Sequence, residues 1–224
     1  MNSKMRVFRN SSAIFQRTAW FPVRPLLYFL GVTYHGTENL THLSSDRGVI
    51  FAANHASLLD PLLLGAGLPY FSRLLPISFV SRPVGGYDHM SFIPRMLFGG
   101  YLFAICGSYP AYKGRKNLED SLPHHLKILS KRGSVAIFPE GGIPDPAVED
   151  FSRARPGVAF LSLKTGAPII PAYIDTQSTP MSVTYGKPIM PAEFSVDPSL
   201  SQEDQYRPIA QEIMKRVFDL KKQR

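Results

Sequence analysis

Two side chains have the types and the spacing of a proton-transfer pair. The apolar run Val49-Ile50-Phe51-Ala52-Ala53 ends in Asn54-His55, and Asp60 follows His55 by five residues. Imidazole changes protonation near neutral pH, so it can take a proton from a weak acid and hand it on. A carboxylate on its far nitrogen fixes the tautomer and stabilises the imidazolium. The spacing therefore predicts His55 as a general base and Asp60 as its orienting partner. The competing reading of the same residues is a helix-capping Asp beside a structural His. Ser57, between the two, reads as a local hydrogen-bonding residue.

Two further segments carry chemistry. Ser134-Val135-Ala136-Ile137-Phe138-Pro139-Glu140-Gly141-Gly142 is an apolar strand ending in a carboxylate and two glycines. Glycines let backbone N–H groups converge on a phosphate or an oxyanion. Glu140 is a candidate for holding a hydroxyl or supporting the base; a solvated Glu in a Pro-Gly turn is the plain alternative. In Gly107-Ser108-Tyr109-Pro110-Ala111-Tyr112-Lys113-Gly114-Arg115, an extended stretch ends in two cations. Lys113 as a point charge and Arg115 as a fork are candidates for a phosphate, against a solvated basic loop. The one cysteine, Cys106, lies beside Phe103, Ala104 and Ile105 and reads as core rather than as a nucleophile. It excludes an internal disulfide. The His and carboxylate spacing lacks a third ligand, so no metal site is expected.

The elements that must position these residues follow from hydrophobic periodicity and breakers. Strands are expected at Gly31–His42 (with a turn), Gly48–Ala53, Ile77–Ser81, Gly107–Tyr112 (or an extended loop), Ser134–Phe138, Pro168–Ile174 and Ser182–Gly186. Helices are expected at Asp60–Leu68, Met90–Ile105, Leu118–Lys131, Arg155–Thr165 (capped by Gly166) and Asp204–Lys222. Residues 1–31 read as helical, broken near Pro22 and Pro25. Alternating strands and helices predict an α/β fold, a mostly parallel central sheet flanked by helices, behind an N-terminal membrane-associating helical segment. The division is 1–31 for that amphipathic segment and 32–224 for the catalytic domain.

The chain has 224 residues, enough for a full core, and 44% of them are hydrophobic. Its 25 basic and 17 acidic side chains leave a formal charge of +8, which suits an anionic partner. The first acidic residue is Glu38. Ahead of it, Lys4, Arg6, Arg9, Arg17 and Arg24 are mixed with Trp20, Phe21, Leu26, Leu27, Tyr28 and Phe29. That mixture fits a segment lying in the headgroup region of an anionic bilayer. It does not fit a nucleic-acid module, so no nucleic-acid partner is expected. No apolar run is long enough to span a bilayer, and no secretory signal is expected. The acid-free start also fits an organelle transit peptide.

Taken together, the segments resemble the glycerolipid acyltransferases of the 1-acylglycerol-3-phosphate O-acyltransferase type. His55 to Asp60 matches their H-x4-D block, Phe138-Pro139-Glu140-Gly141 looks like their F-P-E-G block, and Gly107–Lys113 resembles the block ending in a phosphate-binding cation. Pro168-Ile169-Ile170-Pro171 is similar to their final block. The four stand in the family's order across residues 48–190. The resemblance implies transfer of a fatty acyl group from acyl-CoA or acyl carrier protein to a lysophospholipid hydroxyl, converting 1-acylglycerol-3-phosphate to phosphatidate. It implies His55 and Asp60 as catalytic residues and Lys113, Arg115, Glu140, Gly141 and Gly142 as substrate-binding ones. Beyond the acyl-donor substrate it implies no cofactor, and it places the protein as peripheral or monotopic on the cytoplasmic face of a membrane. Two departures stand out. The family has Thr or Ser and then Arg after E-G, where this chain has Gly142-Ile143-Pro144, and the usual Arg of the second block is Lys113 here. A thioester hydrolase and a non-catalytic lipid-binding protein are the alternative functions.

Overall fold

Val49–Ala53 is buried at every position, the pattern of a strand covered on both faces of a parallel sheet. A computed structural model describes residues 3–41, 43, 46–81, 105–143 and 151–222. Among these, seven strands form one sheet: β1 (Thr33–His35), β2 (Val49–Ala53), β3 (Ile77–Ser81), β4 (Ser108–Pro110), β5 (Ser134–Ile137), β6 (Ile169–Asp175) and β7 (Ser182–Tyr185). Their order is β1-β7-β6-β2-β5-β3-β4. Every neighbouring pair is parallel except β6 and β7. The expected α/β architecture with a mostly parallel sheet is the one observed.

Side-chain alternation divides the core into two layers. Ile50 and Ala52 of β2 join Val135 and Ile137 of β5 under α4 (Pro123–Leu129), α5 (Gly157–Thr165) and α6 (Gln202–Asp219). Val49, Phe51 and Ala53 face the other way, into a layer with Leu63 and Leu64 of α2 (Asp60–Ala66) and Leu27 of α1 (Ser3–Phe29).

The structure corrects three expectations about helices. First, α1 runs unbroken from Ser3 to Phe29 with Pro22 and Pro25 inside it. Proline removes an intrahelical hydrogen bond, but tertiary bonds hold this helix ahead of Pro22 and between the prolines, and Leu27 beyond Pro25 is buried. Gln16 Nε2 donates to the Ile77 and Cys106 carbonyls at 2.7 and 2.8 Å. Trp20 Nε1 and Arg24 Nη1 both donate to the Leu68 carbonyl, at 2.9 and 3.2 Å. Local propensity yields to such tertiary anchoring. Second, the helix expected over Leu118–Lys131 is two, α3 (Leu118–Ser121) and α4. The break falls at Leu122, whose φ of −126° and ψ of 37° are not helical. Leu122 precedes Pro123, and proline's Cδ disfavours helical backbone in the residue before it. Third, α6 begins at Gln202, because the Ser201 hydroxyl accepts the Asp204 N–H as an N-cap, and it gives way to a 3₁₀ turn at Leu220–Lys222. The strand-and-turn expected over Gly31–His42 is β1 followed by a 3₁₀ turn at Thr37–Leu40. Residues 90–104 of the helix expected over Met90–Ile105 lie outside the described residues.

Candidate active site

β2 and β5 are parallel neighbours, so the two chemistry-bearing segments leave the sheet side by side at its carboxyl edge. Ligand sites of open α/β sheets form at that edge. Asn54 closes the end of β2 by a two-way clasp: its Nδ2 donates to the Ile174 carbonyl at 2.9 Å, and its Oδ1 accepts the Ile174 N–H at 2.7 Å. A side chain thus extends the β2–β6 pairing by one residue and fixes the direction in which His55 departs.

Asp60 opens α2, and Pro61 after it presets the helical backbone. Its carboxylate is 0% exposed. Oδ2 accepts His55 Nδ1 at 2.7 Å and the backbone N–H groups of Ala56 at 2.6 Å and Ser57 at 2.9 Å. Oδ1 accepts the Ser57 hydroxyl at 2.8 Å. A buried carboxylate needs such donors, and the four-residue loop between His55 and Asp60 wraps around the acid to supply them. Asp60 thus holds the imidazole but does not cap α2: its carboxylate bonds only groups ahead of the helix, and the N-cap position, Leu59, has no side-chain cap bond. Ser57 is the local hydrogen-bonding residue expected of it, its Oγ also accepting the Leu59 N–H.

The imidazole stacks on Phe138, with ring centroids 4.4 Å apart and planes 19° from parallel. With Nδ1–H donated to Asp60, Nε2 is the basic nitrogen, on a side chain 19% exposed. Glu140 reaches across from β5, and its Oε2 accepts the His55 backbone N–H at 2.6 Å. This bond ties the second segment to the first. Burial pushes the Glu140 carboxyl up to about 7, against the lowering effect of the His55 N–H.

Glu140, Gly141, Gly142 and Ile143 line a cavity of about 320 Å³ together with Arg153 and Arg155. Gly141 has φ 72°, a conformation that favours glycine, and a Cβ there would overlap the Arg155 guanidinium. Neither arginine was singled out by sequence reading, because nothing in their local pattern marks them. The signal available was the departure itself: a loop lacking its usual Arg, followed by the closely spaced Arg153 and Arg155. Lys113 and Arg115 follow β4, which is separated from β5 by β3. They line neither described cavity, and the Arg115 guanidinium lies over the Tyr112 ring at 5.8 Å. The structure thus brings His55, Asp60 and Glu140 together, sets Gly141 and Gly142 beside them, and leaves Lys113 and Arg115 further along the same edge.

A second cavity, about 170 Å³ and largely apolar, lies between α1 and α2. Phe15, Trp20 and Val23 form one wall, Leu58, Pro61 and Leu62 another, and Leu75, Phe79 and Cys106 also border it. The Cys106 thiol is half-buried and burial raises its pKa, the opposite of nucleophile activation.

The family model described as "Acyltransferase" matches residues 31–175. A curated relative, 1-acyl-sn-glycerol-3-phosphate acyltransferase of Saccharomyces cerevisiae, is 27% identical over 169 residues, covering 75% of this chain. The chain spans about half (50%) of that relative's length. Among solved structures, the 1-acyl-sn-glycerophosphate (LPA) acyltransferase PlsC from Thermotoga maritima superposes with a TM-score of 0.59 at 20% identity, over 99% of this chain and 84% of that one. The structural likeness establishes the fold. The family match spans the strand ends that carry His55, Asp60 and Glu140, and by it the chain belongs to the Acyltransferase family.

Proposed function

We propose that the protein transfers a fatty acyl group from acyl-CoA or acyl carrier protein to the hydroxyl of a lysophospholipid, 1-acylglycerol-3-phosphate being the acceptor and phosphatidate the product. The observation that carries this reading is the 2.7 Å bond from His55 Nδ1 to a buried carboxylate, at a strand end where Nε2 is left to accept a proton. The yeast relative's name supports the acceptor.

A lipid hydroxyl is a weak nucleophile unless its proton leaves as it attacks. In the proposed reaction, its oxygen forms a bond to the thioester carbonyl carbon while His55 Nε2 takes the proton. The imidazolium is stabilised by Asp60. The tetrahedral oxyanion needs donors already in place; the Gly141 N–H is taken by the Phe138 carbonyl at 2.9 Å, so the Gly142 N–H is the backbone donor we assign to it. Collapse breaks the C–S bond, and the departing thiolate takes the proton back from the imidazolium. Glu140 positions the base through the His55 N–H. Lys113 and Arg115 attract the acceptor's phosphate from the β4 side. The apolar cavity between α1 and α2 begins at the loop that carries His55 and takes acyl chain. No helix among the described residues is long and apolar enough to cross a membrane. We assign membrane contact to the outer face of α1, as a peripheral or monotopic association.

Lipid mass spectrometry tests the reading. Protein in liposomes receives acyl-CoA or acyl carrier protein with a panel of lysolipids. Phosphatidate formed by the native chain and not by His55→Ala is the expected result. Thioester loss without an acylated lipid would replace transfer with hydrolysis, and no turnover with either donor would leave a lipid-binding protein.

A further inference from the structure

The turn between α2 and β3 carries Phe71, whose side chain is 89% exposed. A single apolar side chain in water is ordinary, but this ring belongs to a cluster. Tyr70 stands against Phe21 of α1 with ring centroids 4.7 Å apart, against Trp20 at 5.3 Å and against Phe71 at 4.8 Å. Seven residues are close to two helical turns, so Ile14, Phe21 and Tyr28 fall on one line of α1, and all three are exposed. Tyr70 thus seats Phe71 beside the middle of that line. The turn is held there. Arg17 Nη1 donates to the Tyr70 carbonyl at 2.5 Å, and its guanidinium lies over the Tyr70 ring at 5.7 Å. The Ser72 N–H donates to the Pro69 carbonyl at 2.9 Å, Ser72 Oγ accepts the Leu74 N–H at 3.2 Å, and Leu74 and Leu75 behind it are buried. The fold therefore spends a well-fixed turn on presenting an aromatic ring outward. The charge around the cluster selects what covers it. Arg17, Arg24 and Arg73 lie on α1 and the turn, and the sequence has no Asp or Glu from Met1 to Thr37 or from Pro61 to Tyr87. A second copy would set these cations against their own kind. A bilayer with anionic headgroups offers the opposite sign and an apolar layer for the rings.

We propose that the turn between α2 and β3 is a second membrane anchor, with Phe71 inserted beside Phe21 among the headgroups of an anionic bilayer. The inference rests on the membrane contact assigned to α1 and extends it to a separate element. A helix lying alone on a surface can roll about its axis; a latched turn beside it stops the roll. At the other end of α2, Leu58 and Leu62 are exposed and border the apolar cavity that Phe15 and Trp20 wall. Apolar side chains at both ends of α2 turn the face of the sheet that α1 and α2 cover toward the bilayer. The helix whose first residue, Asp60, holds His55 is then fixed relative to the membrane through the turn that follows it.

The test uses the full chain without substrates, freed of detergent and mixed with vesicles of equimolar phosphatidylcholine and phosphatidylglycerol. No turnover is read, so an inactive enzyme does not count against the anchor. Cys106 is the one native cysteine. An environment-sensitive fluorophore is attached to Phe71→Cys in a Cys106→Ala background and, in a parallel sample, to Lys215→Cys, an exposed position on α6 across the sheet. Vesicles should shift the emission to the blue at position 71 and leave it unchanged at position 215. Phe71→Ser should weaken vesicle affinity by about fivefold to tenfold at an unchanged unfolding temperature, and Phe71→Leu should keep most of it. A label at position 71 that stays in water while the protein floats with vesicles would overturn the anchor and leave the contact of α1 standing. A native chain that does not float would overturn both. A blue shift that grows with protein concentration in the absence of vesicles would give this face to a second copy, and equal shifts at the two positions would reduce the contact to adsorption without orientation; either result overturns the proposal.

Discussion

His55 can act as a base only while Nδ1 is held, and the hold is a carboxylate with four donors around it rather than one. His55→Ala should lower kcat by about 10²–10⁴, the usual contribution of a positioned general base, with an unchanged unfolding temperature. Asp60→Asn should be as severe in rate. It should also cost about 1–3 kcal/mol of stability, because an amide with its carbonyl in the Oδ2 place keeps the His55, Ala56 and Ser57 N–H bonds without the charge and leaves the Ser57 hydroxyl no oxygen to donate to. Thermal unfolding beside initial rates separates the two variants; equal stability would detach the loop from its acid. Glu140 carries a pH signature of its own. Its folded pKa of about 7 lies above the ordinary 4.5, so between those values the folded state holds a proton that the unfolded chain has lost. Stability should therefore fall as pH rises from about 4.5 to about 7 and level off above. Glu140→Gln keeps an acceptor for the His55 N–H and has nothing to titrate. Unfolding temperature followed across that window should show a flatter slope in the variant, and an identical slope would remove Glu140 as its source.

At the scale of elements, α1 has two jobs on two faces. Its inner face is part of the fold: Leu27 is buried, Trp20 and Val23 pack on the core, and Gln16 bonds to β3 through the Ile77 N–H and carbonyl. Its outer face exposes Ile14, Phe21, Leu26, Tyr28 and Phe29, the last at 86%. Exposed aromatics on a helix with Arg17 and Arg24 suit an anionic bilayer. Deleting the helix would therefore strip the core as well as the surface. The sharper experiment replaces Tyr28 and Phe29, 83% and 86% exposed, by Ser, which leaves the inner contacts alone. Flotation with phosphatidylglycerol-containing liposomes should drop several-fold at an unchanged unfolding temperature; full flotation would move the membrane contact off this face.

On the scale of the whole molecule, one sheet with two covered faces lets the site and the stabilising core be changed separately. Ile213 of α6 is fully buried in the layer with Ile50 and Val135, on the face away from α1 and α2. Ile213→Ala should cost about 2–5 kcal/mol in denaturant unfolding, the transfer and cavity terms of a core truncation. Turnover per folded molecule should stay the same, because the strand ends that carry His55 and Glu140 depend on β2–β5 register rather than on this side chain. A matching fall in activity per folded molecule would show that the site feels the α6 layer.

What the amino-acid order determined by itself was the local part of this design. Apolar runs ending in Asn54-His55 and in Phe138-Pro139-Glu140 could be read as strands delivering side chains to an edge, because strand length, alternation and breakers act over a few residues. The His55–Asp60 pair was legible for the same reason, since a four-residue loop closes it. Tertiary structure decided everything that depends on distant segments meeting. It kept α1 helical through Pro22 and Pro25 with bonds to Leu68, Ile77 and Cys106, which no local rule contains. It placed the Glu140 carboxylate on the His55 N–H, 85 positions away, by pairing β2 with β5. It brought Arg155 back to Gly141 through the bond from its N–H to the Pro139 carbonyl. Hydrophobic period and turn chemistry are short-range, whereas strand order and loop return are set by how the whole sheet buries its two faces.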